Sequence, residues 1–147
     1  MKTIETAYNQ KKRVGIALRR FLFRQSPGRK HLPYFGCDVE FMRRFIEWQF
    51  REGWSWENIG TEWQVEHILP LTAFNWMDEG ELKLCWNWGN LRPSVVKRER
   101  NSYLLAMGIL EKRLAYFKTD ELAKLLERAQ LMVIGDKEPE ENWKGFV

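Results

Sequence analysis

The sequence predicts a mostly helical α+β fold, with a short two-stranded hairpin near the middle of the chain and helices around it. Three observations lead there. Apolar residues recur at steps of three and four before residue 50 and after residue 118, the spacing of an amphipathic helix. The run Glu62 to Leu69 carries Trp63, Val65 and Ile68 and stops at Pro70, which reads as a short strand. Seven of the eight tryptophans lie between Trp48 and Trp88, so the compact core is expected in that part of the chain.

Taken in order, Thr6 to Phe23 form the first helix, with Val14, Ile16, Ala17, Leu18, Phe21 and Leu22 between its arginines. Gln25-Ser26-Pro27-Gly28 stops it, because neither proline nor glycine extends a helix without cost. Asp38 is a good N-cap for a second helix, whose stripe Phe41, Phe45 and Trp48, with Ile46 and Phe50 alongside, is expected to face the core until Gly53 breaks the pattern. After the strand, Leu71 to Trp76 are expected to return as a second strand or a loop. Asp78 to Trp86 form a short helix whose acidic first turn, Asp78-Glu79, suits a helix N-terminus. Gly89-Asn90 marks a turn. Pro93 to Gly108 read as a further helix with proline near its start. Thr119 to Met132 form a last amphipathic helix with Leu122, Leu125, Leu126 and Ala129 on one face, and the acidic tail after Gly135 is expected to be mobile.

Composition narrows the function. At 147 residues and 17.7 kDa, with 44% hydrophobic and 30% charged residues, the chain is sized for one compact domain. It is too apolar for disorder, and no run nears the ~18 apolar residues of a membrane span. Its start lacks the apolar core of a signal peptide, so a reducing cytoplasm is expected, where Cys37 and Cys85 remain buried thiols. Two cysteines exclude a disulfide scaffold and a four-cysteine zinc ribbon. The net charge of +4 is unevenly spread. Up to Lys30, nine Lys or Arg face a single acid, Glu5, a local excess of +8 that leaves −4 for the remainder. A basic segment of that kind is an electrostatic footprint for phosphate backbones.

Two histidines are present. His31 sits in a Lys-His-Leu-Pro loop and reads as a surface residue. His67 directly follows Glu66 at a strand end, where a carboxylate can hold a divalent ion while a neutral imidazole takes a proton from water.

A wider set of motifs surrounds that pair: Gly53-Trp54-Ser55-Trp56-Glu57-Asn58-Ile59-Gly60, then Trp63-Gln64-Val65-Glu66-His67-Ile68-Leu69-Pro70-Leu71, then Phe74, then Asn87-Trp88-Gly89-Asn90-Leu91-Arg92-Pro93. In this order and spacing the chain resembles the HNH endonucleases, most closely a phage and bacterial branch. The likeness covers roughly residues 10 to 103, about two thirds of the chain, and takes in Gly36-Cys37, the acidic helix after it and the basic first helix.

The resemblance implies a ββα-metal core, a short hairpin crossed by a helix with one divalent ion, Mg²⁺ or Mn²⁺, between them and no structural zinc. His67 falls on the general base, Asn90 on the asparagine that braces the loop carrying it, and Glu66 on the first metal ligand, where the family usually has Asp. Glu keeps the charge and the hard oxygens but adds a methylene that moves the ion by about an ångström. The family's ligand nine residues after the central Asn falls here on Glu99, with Asn101 two residues further. Two residues along a helix turn a side chain by roughly 200°, so Glu99 is favoured over Asn101.

Phosphate contacts are expected from Arg13, Arg19, Arg20 and Arg24 of the first helix and from Arg92, Lys97, Arg98 and Arg100. The expected activity is divalent-metal-dependent DNA cleavage, by nicking or double-strand cutting, in the cytoplasm of a bacterium or phage-infected host. The alternative is a catalytically weakened, HNH-derived module that binds DNA or protein. Residues 1–30 form the basic helix, 31–105 the core with its preceding helix, and 106–147 a helical extension that offers a surface for a protein partner or a second copy. The tryptophans are expected to serve mainly as core.

Overall fold

A computed structural model describes residues 3–25, 32–96 and 101–144, with side chains described up to Gly135 and not for Leu32. His31 and the basic-acidic stretch Lys97, Arg98, Glu99 and Arg100 therefore lie outside the described residues. The chain is α+β and mostly helical, with a two-stranded antiparallel sheet. No helix among the described residues is long and apolar enough to cross a membrane.

Helix α1 spans Ile4–Leu22 and opens on Thr3, whose side chain accepts from the Thr6 backbone N–H. It closes in a tight turn in which Gln25 N–H reaches the Arg20 carbonyl and Arg24 N–H the Phe21 carbonyl. That turn puts Arg24 at φ 58°, a left-handed position usually given to glycine. After the one-turn helix α2 (Leu32–Phe35), Asp38 caps α3 (Val39–Trp48) by accepting from Phe41 N–H at 2.8 Å. The buried face of α3 is Met42, Phe45 and Ile46, not the expected Phe41–Phe45–Trp48 stripe. Trp48 is 74% exposed, because the helix turns its Met42, Phe45 and Ile46 side to the core.

Asn58 ties the Gly53–Gly60 loop together from within. Asn58 accepts from Ser55 N–H and donates to the Gly53 carbonyl, and Gly60, at φ +93°, donates its N–H to Trp63. Trp63 begins strand β1 (Trp63–His67), is fully buried, and donates its indole N–H to Ser55 O. Phe50, Trp54 and Trp56 surround it with ring centroids 4.8 to 6.4 Å away, so these aromatics are packing.

Leu71 to Trp76 form a loop with a 3-10 turn rather than a strand. Helix α4 (Glu79–Trp86) opens on Asp78 as expected. The second strand comes later than the loop, as β2 (Leu91–Val95), pairing antiparallel with β1 in the register Glu66↔Arg92 and His67↔Leu91. This corrects the reading of Pro93 as a helix start. Pro93 lies opposite Val65 in a sheet of two strands, where each strand has an open edge that tolerates the missing N–H. The next helix, α5 (Tyr103–Phe117), starts only after Ser102, whose hydroxyl caps Leu105 N–H.

Helix α6 (Asp120–Lys144) packs on α5 and runs beyond Gly135, where a mobile tail was expected. Of the expected face, Leu122, Leu125 and Ala129 are buried and Leu126 is half-buried beside them. Arg128 of α6 grips Glu81 of α4 through both guanidinium N–H groups, at 2.6 and 2.7 Å. One continuous cluster of buried side chains joins α1, α3, β1, α4, β2, α5 and α6, so the hairpin sits with helices packed around it.

Candidate functional site

The end of the hairpin gathers five of the residues that the sequence singles out, Glu66, His67, Asn90, Arg92 and Asn101. Successive side chains of a strand leave on opposite faces, and Glu66 and His67 accordingly have different neighbours. On the Glu66 face, register places Arg92 directly opposite, and its Nε donates to Glu66 Oε1 at 2.5 Å. Both side chains are mostly buried, 19% and 13% exposed. Arg92 also donates through Nη2 to Asn101 Oδ1 at 3.0 Å. Asn101, 3% exposed, turns its amide N–H groups to the carbonyls of Ile68 (3.2 Å) and His67 (3.4 Å) and to Glu66 Oε1 (3.5 Å).

Asn101 thus stands beside Glu66. The expectation that a 200° rotation would carry it away rested on a helix running through that position, and the helix begins two residues later. Glu99, the favoured third ligand, lies outside the described residues. Arg92, expected to grip phosphate, directs its Nε and an Nη2 donor to Glu66 and Asn101.

On the other face, the His67 ring meets Trp86 edge to face, with centroids 4.4 Å apart. Its Nε2 is buried and has no hydrogen-bond partner among the described residues. Burial pushes the imidazole down to about 4, so the ring is neutral at pH 7.

Asn90 braces the chain just past His67. Fully buried, it accepts from Leu69 N–H at 2.8 Å and donates to the carbonyls of Leu69 (3.1 Å) and Cys85 (3.0 Å), while its own carbonyl takes Ile68 N–H at 2.7 Å. Three more residues support this brace: Asn87 and Gly89 of the same motif, and Arg113, which sequence reasoning missed. Asn87 accepts from Gly89 N–H, and Gly89 packs so closely on Leu122 that a Cβ would lie 2.8 Å from Leu122 Cδ2. Arg113 of α5, 8% exposed, donates to the carbonyls on either side of Asn90, Gly89 O at 2.9 Å and Leu91 O at 2.8 Å, and to Gln49 Oε1. Its signal in the sequence is an arginine three residues after Leu110, on the face that α5 buries. Burial lowers Arg113 to about 9, so it stays charged at neutral pH.

Of the basic residues on α1, Arg13, Arg19 and Arg20 are exposed. Arg24 is paired with Glu40 at 2.9 and 3.3 Å. Arg19 lines a cavity that also reaches His67 and Trp86, which brings the basic helix to the hairpin end. The two cysteines are free, Cys85 buried and Cys37 partly so, with the Cys37 thiol raised by burial to about 12. Among the described residues, no group of three or more His, Cys, Asp and Glu converges as a metal cluster.

No family model matches the chain. No solved structure matches it. It is similar to two uncharacterised proteins of Acanthamoeba polyphaga mimivirus. To protein L426 it is 42% identical over 65 residues, which are 44% of this chain and 29% of that protein. To protein L246 it is 38% identical over 58 residues, 40% of this chain and 26% of that protein. The chain spans less than a third of the length of these curated relatives.

Proposed function

We propose that this chain is a divalent-metal-dependent DNA endonuclease of the HNH type, built on a ββα-metal core, that hydrolyses phosphodiester bonds with His67 as general base. One observation carries the reading: segments far apart in sequence meet at one hairpin end. Asn90 holds both backbone polar groups of Leu69, two residues past His67, while Asn101 reaches Glu66 and the carbonyls of His67 and Ile68. Spacing along the chain does not by itself require these contacts.

The donors fit a hard divalent cation. A carboxylate oxygen of Glu66 and the amide oxygen of Asn101 converge on one positive group, the Arg92 guanidinium. An ion held by Glu66 and Asn101, with Arg92 displaced, would neutralise the charge that builds on the phosphoryl oxygens during hydrolysis. Glu99 remains a further acidic donor in this proposal, and Lys97, Arg98 and Arg100 remain phosphate contacts.

The remaining steps belong to the chain's own side chains. His67 is neutral at pH 7 and so in the form that accepts a proton, but its basicity is low while the ring is packed on Trp86. Water must reach the ring, and that access would raise its basicity toward the ordinary imidazole value. Arg13, Arg19 and Arg20 present charge to the backbone of DNA and give affinity rather than sequence choice.

A second reading, a catalytically weakened module that binds DNA or protein, is favoured by the Glu66–Arg92 pair and by the burial of His67 Nε2. Supercoiled plasmid incubated with the protein and Mg²⁺ or Mn²⁺ separates the two. Nicking that His67→Ala abolishes supports the enzyme. DNA retained without nicking under either ion supports the module.

A further inference from the structure

Helix α5 carries apolar side chains nearly all round. Of its 15 residues only Glu111, Lys112 and Arg113 are charged, and Arg113 is buried. A helix of that composition belongs in an interior, with neighbours on every side. Yet Leu104 is 59% exposed, Leu105 42% and Tyr116 73%. Gly108 stands between them, and a Cβ built there meets nothing within 4 Å. Near the middle of this outer face Glu111 and Lys112 are exposed, and neither has an ion-pair partner among the described residues. Nor can a pair form within the helix, since no opposite charge stands three or four residues from either one.

The face is its own complement when turned end for end. At about 100° per residue, Leu104, Glu111 and Ala115 run along one side of Gly108, and Leu105, Lys112 and Tyr116 along the other. A second α5 laid antiparallel, about a two-fold axis beside residue 110, sets like sides together. Leu105 then meets Tyr116 of the second copy, and Leu104 meets Ala115 of the second copy, at each end of the contact. In the middle, the stem of Lys112 crosses Gly108 of the second copy, where no side chain is in the way, and its ammonium reaches Glu111 there. One symmetry operation gives both charges a partner and covers the apolar ends. An unrelated protein would need acid, base and apolar groups in this same order, whereas another copy of the chain carries them already. We propose that the outer face of α5 is the interface of a symmetric dimer of this chain. It is one helix wide and about 22 Å long, so each copy buries less than the roughly 800 Å² of a standard interface. The dimer is accordingly weak, with a dissociation constant of about 10–100 µM.

Sedimentation of the full-length chain between about 5 and 500 µM, without DNA or metal, tests it, and the dimer fraction should rise across that range. Glu111→Lys and Lys112→Glu are surface changes that leave the fold intact. Each puts two like-charge pairs into the interface and should weaken the dimer at least about tenfold. Glu111→Lys/Lys112→Glu restores both pairs with their signs exchanged and should regain most of that loss. Register is read by disulfide trapping in a Cys37→Ser background. Chains carrying Leu105→Cys should cross-link under a mild oxidant when mixed with chains carrying Tyr116→Cys. Neither should cross-link alone, because like positions lie about 15 Å or more apart along the helix axis and a disulfide needs Cα atoms within about 7 Å.

A chain that is monomeric at 500 µM overturns the proposal. So does a dimer that both single reversals leave intact, which would put the contact on another face. Failure of the folded double reversal to recover association refutes the pairing of Glu111 with Lys112. Cross-linking of either cysteine chain by itself, as strong as in the mixture, refutes the antiparallel arrangement. The nuclease reading stands apart from these outcomes, because plasmid nicking is measured separately.

Discussion

Replacing Asn90 by Ala removes three hydrogen bonds at once from a fully buried position. The Leu69 N–H and the Leu69 and Cys85 carbonyls, at 2.8, 3.1 and 3.0 Å, all lose their side-chain partner. Each orphaned group costs about 1–3 kcal/mol, carbonyls toward the low end because a second lone pair is already unused. The sum is about 3–6 kcal/mol, a large share of the roughly 5–15 kcal/mol that holds a domain of this size. Asn87→Ala is the internal control. It removes one hydrogen bond, from Gly89 N–H, at a 6% exposed side chain and should cost about 1–2 kcal/mol. Urea unfolding followed by far-ultraviolet circular dichroism at pH 7 measures both. A loss in Asn90→Ala no larger than in Asn87→Ala would refute the reasoning, since it would mean that the loop relaxes or admits water at no cost. Asn90→Asp adds a second check. The carboxylate still accepts from Leu69 but faces two carbonyl oxygens, so the variant should recover stability as acid protonates it.

The remaining predictions concern charge. Because burial lowers His67 from 6.5 to about 4, the unfolded chain binds the proton first; its stabilising contribution is complete above pH 6.5 and is lost as pH falls toward 4. At pH 5 that loss is about 2 kcal/mol, and urea unfolding of His67→Phe should lack this part of the acid slope; equal slopes would mean that the folded ring takes up the proton freely. Arg92→Gln frees the oxygens of Glu66 and Asn101 from their cation, so Mn²⁺ affinity measured by calorimetry should rise about tenfold; unchanged or weaker binding removes this pair as the ion's ligands. In Arg19→Gln/Arg20→Gln, the slope of log DNA affinity against log salt should shrink by about 2; an unaltered slope takes α1 out of the interface.

Much of the helical frame was legible because its signals are local. Asp38 caps the helix it was expected to cap, α4 opens at the expected Asp78, and of the expected face Leu122, Leu125, Leu126 and Ala129 all but the half-buried Leu126 are buried. The first strand was legible from the apolar run that ends at Pro70, but the second was not. Leu91–Val95 contains a proline that reads locally as a helix start, and only its pairing with Val65 makes it a strand. That misreading spread to the site. With a helix drawn through residues 93–108, Asn101 pointed away from Glu66; with the strand in place it lies in the connection before α5 and reaches the carboxylate. The partners of Arg92 and the burial of the His67 ring were invisible for a similar reason, since both depend on which faces the hairpin shows to α1, α4 and residue 101.

Arg113 links the far end of the chain to the loop that Asn90 holds. Its charge is kept in the interior by uncharged oxygens, two of them backbone carbonyls one residue either side of Asn90. The guanidinium can be there only when α5 is docked, and α5 is packed along α6. Anything that levers the terminal helix pair outward, a binding protein or a second copy, therefore pulls a latch on the hairpin tip without touching Glu66 or His67.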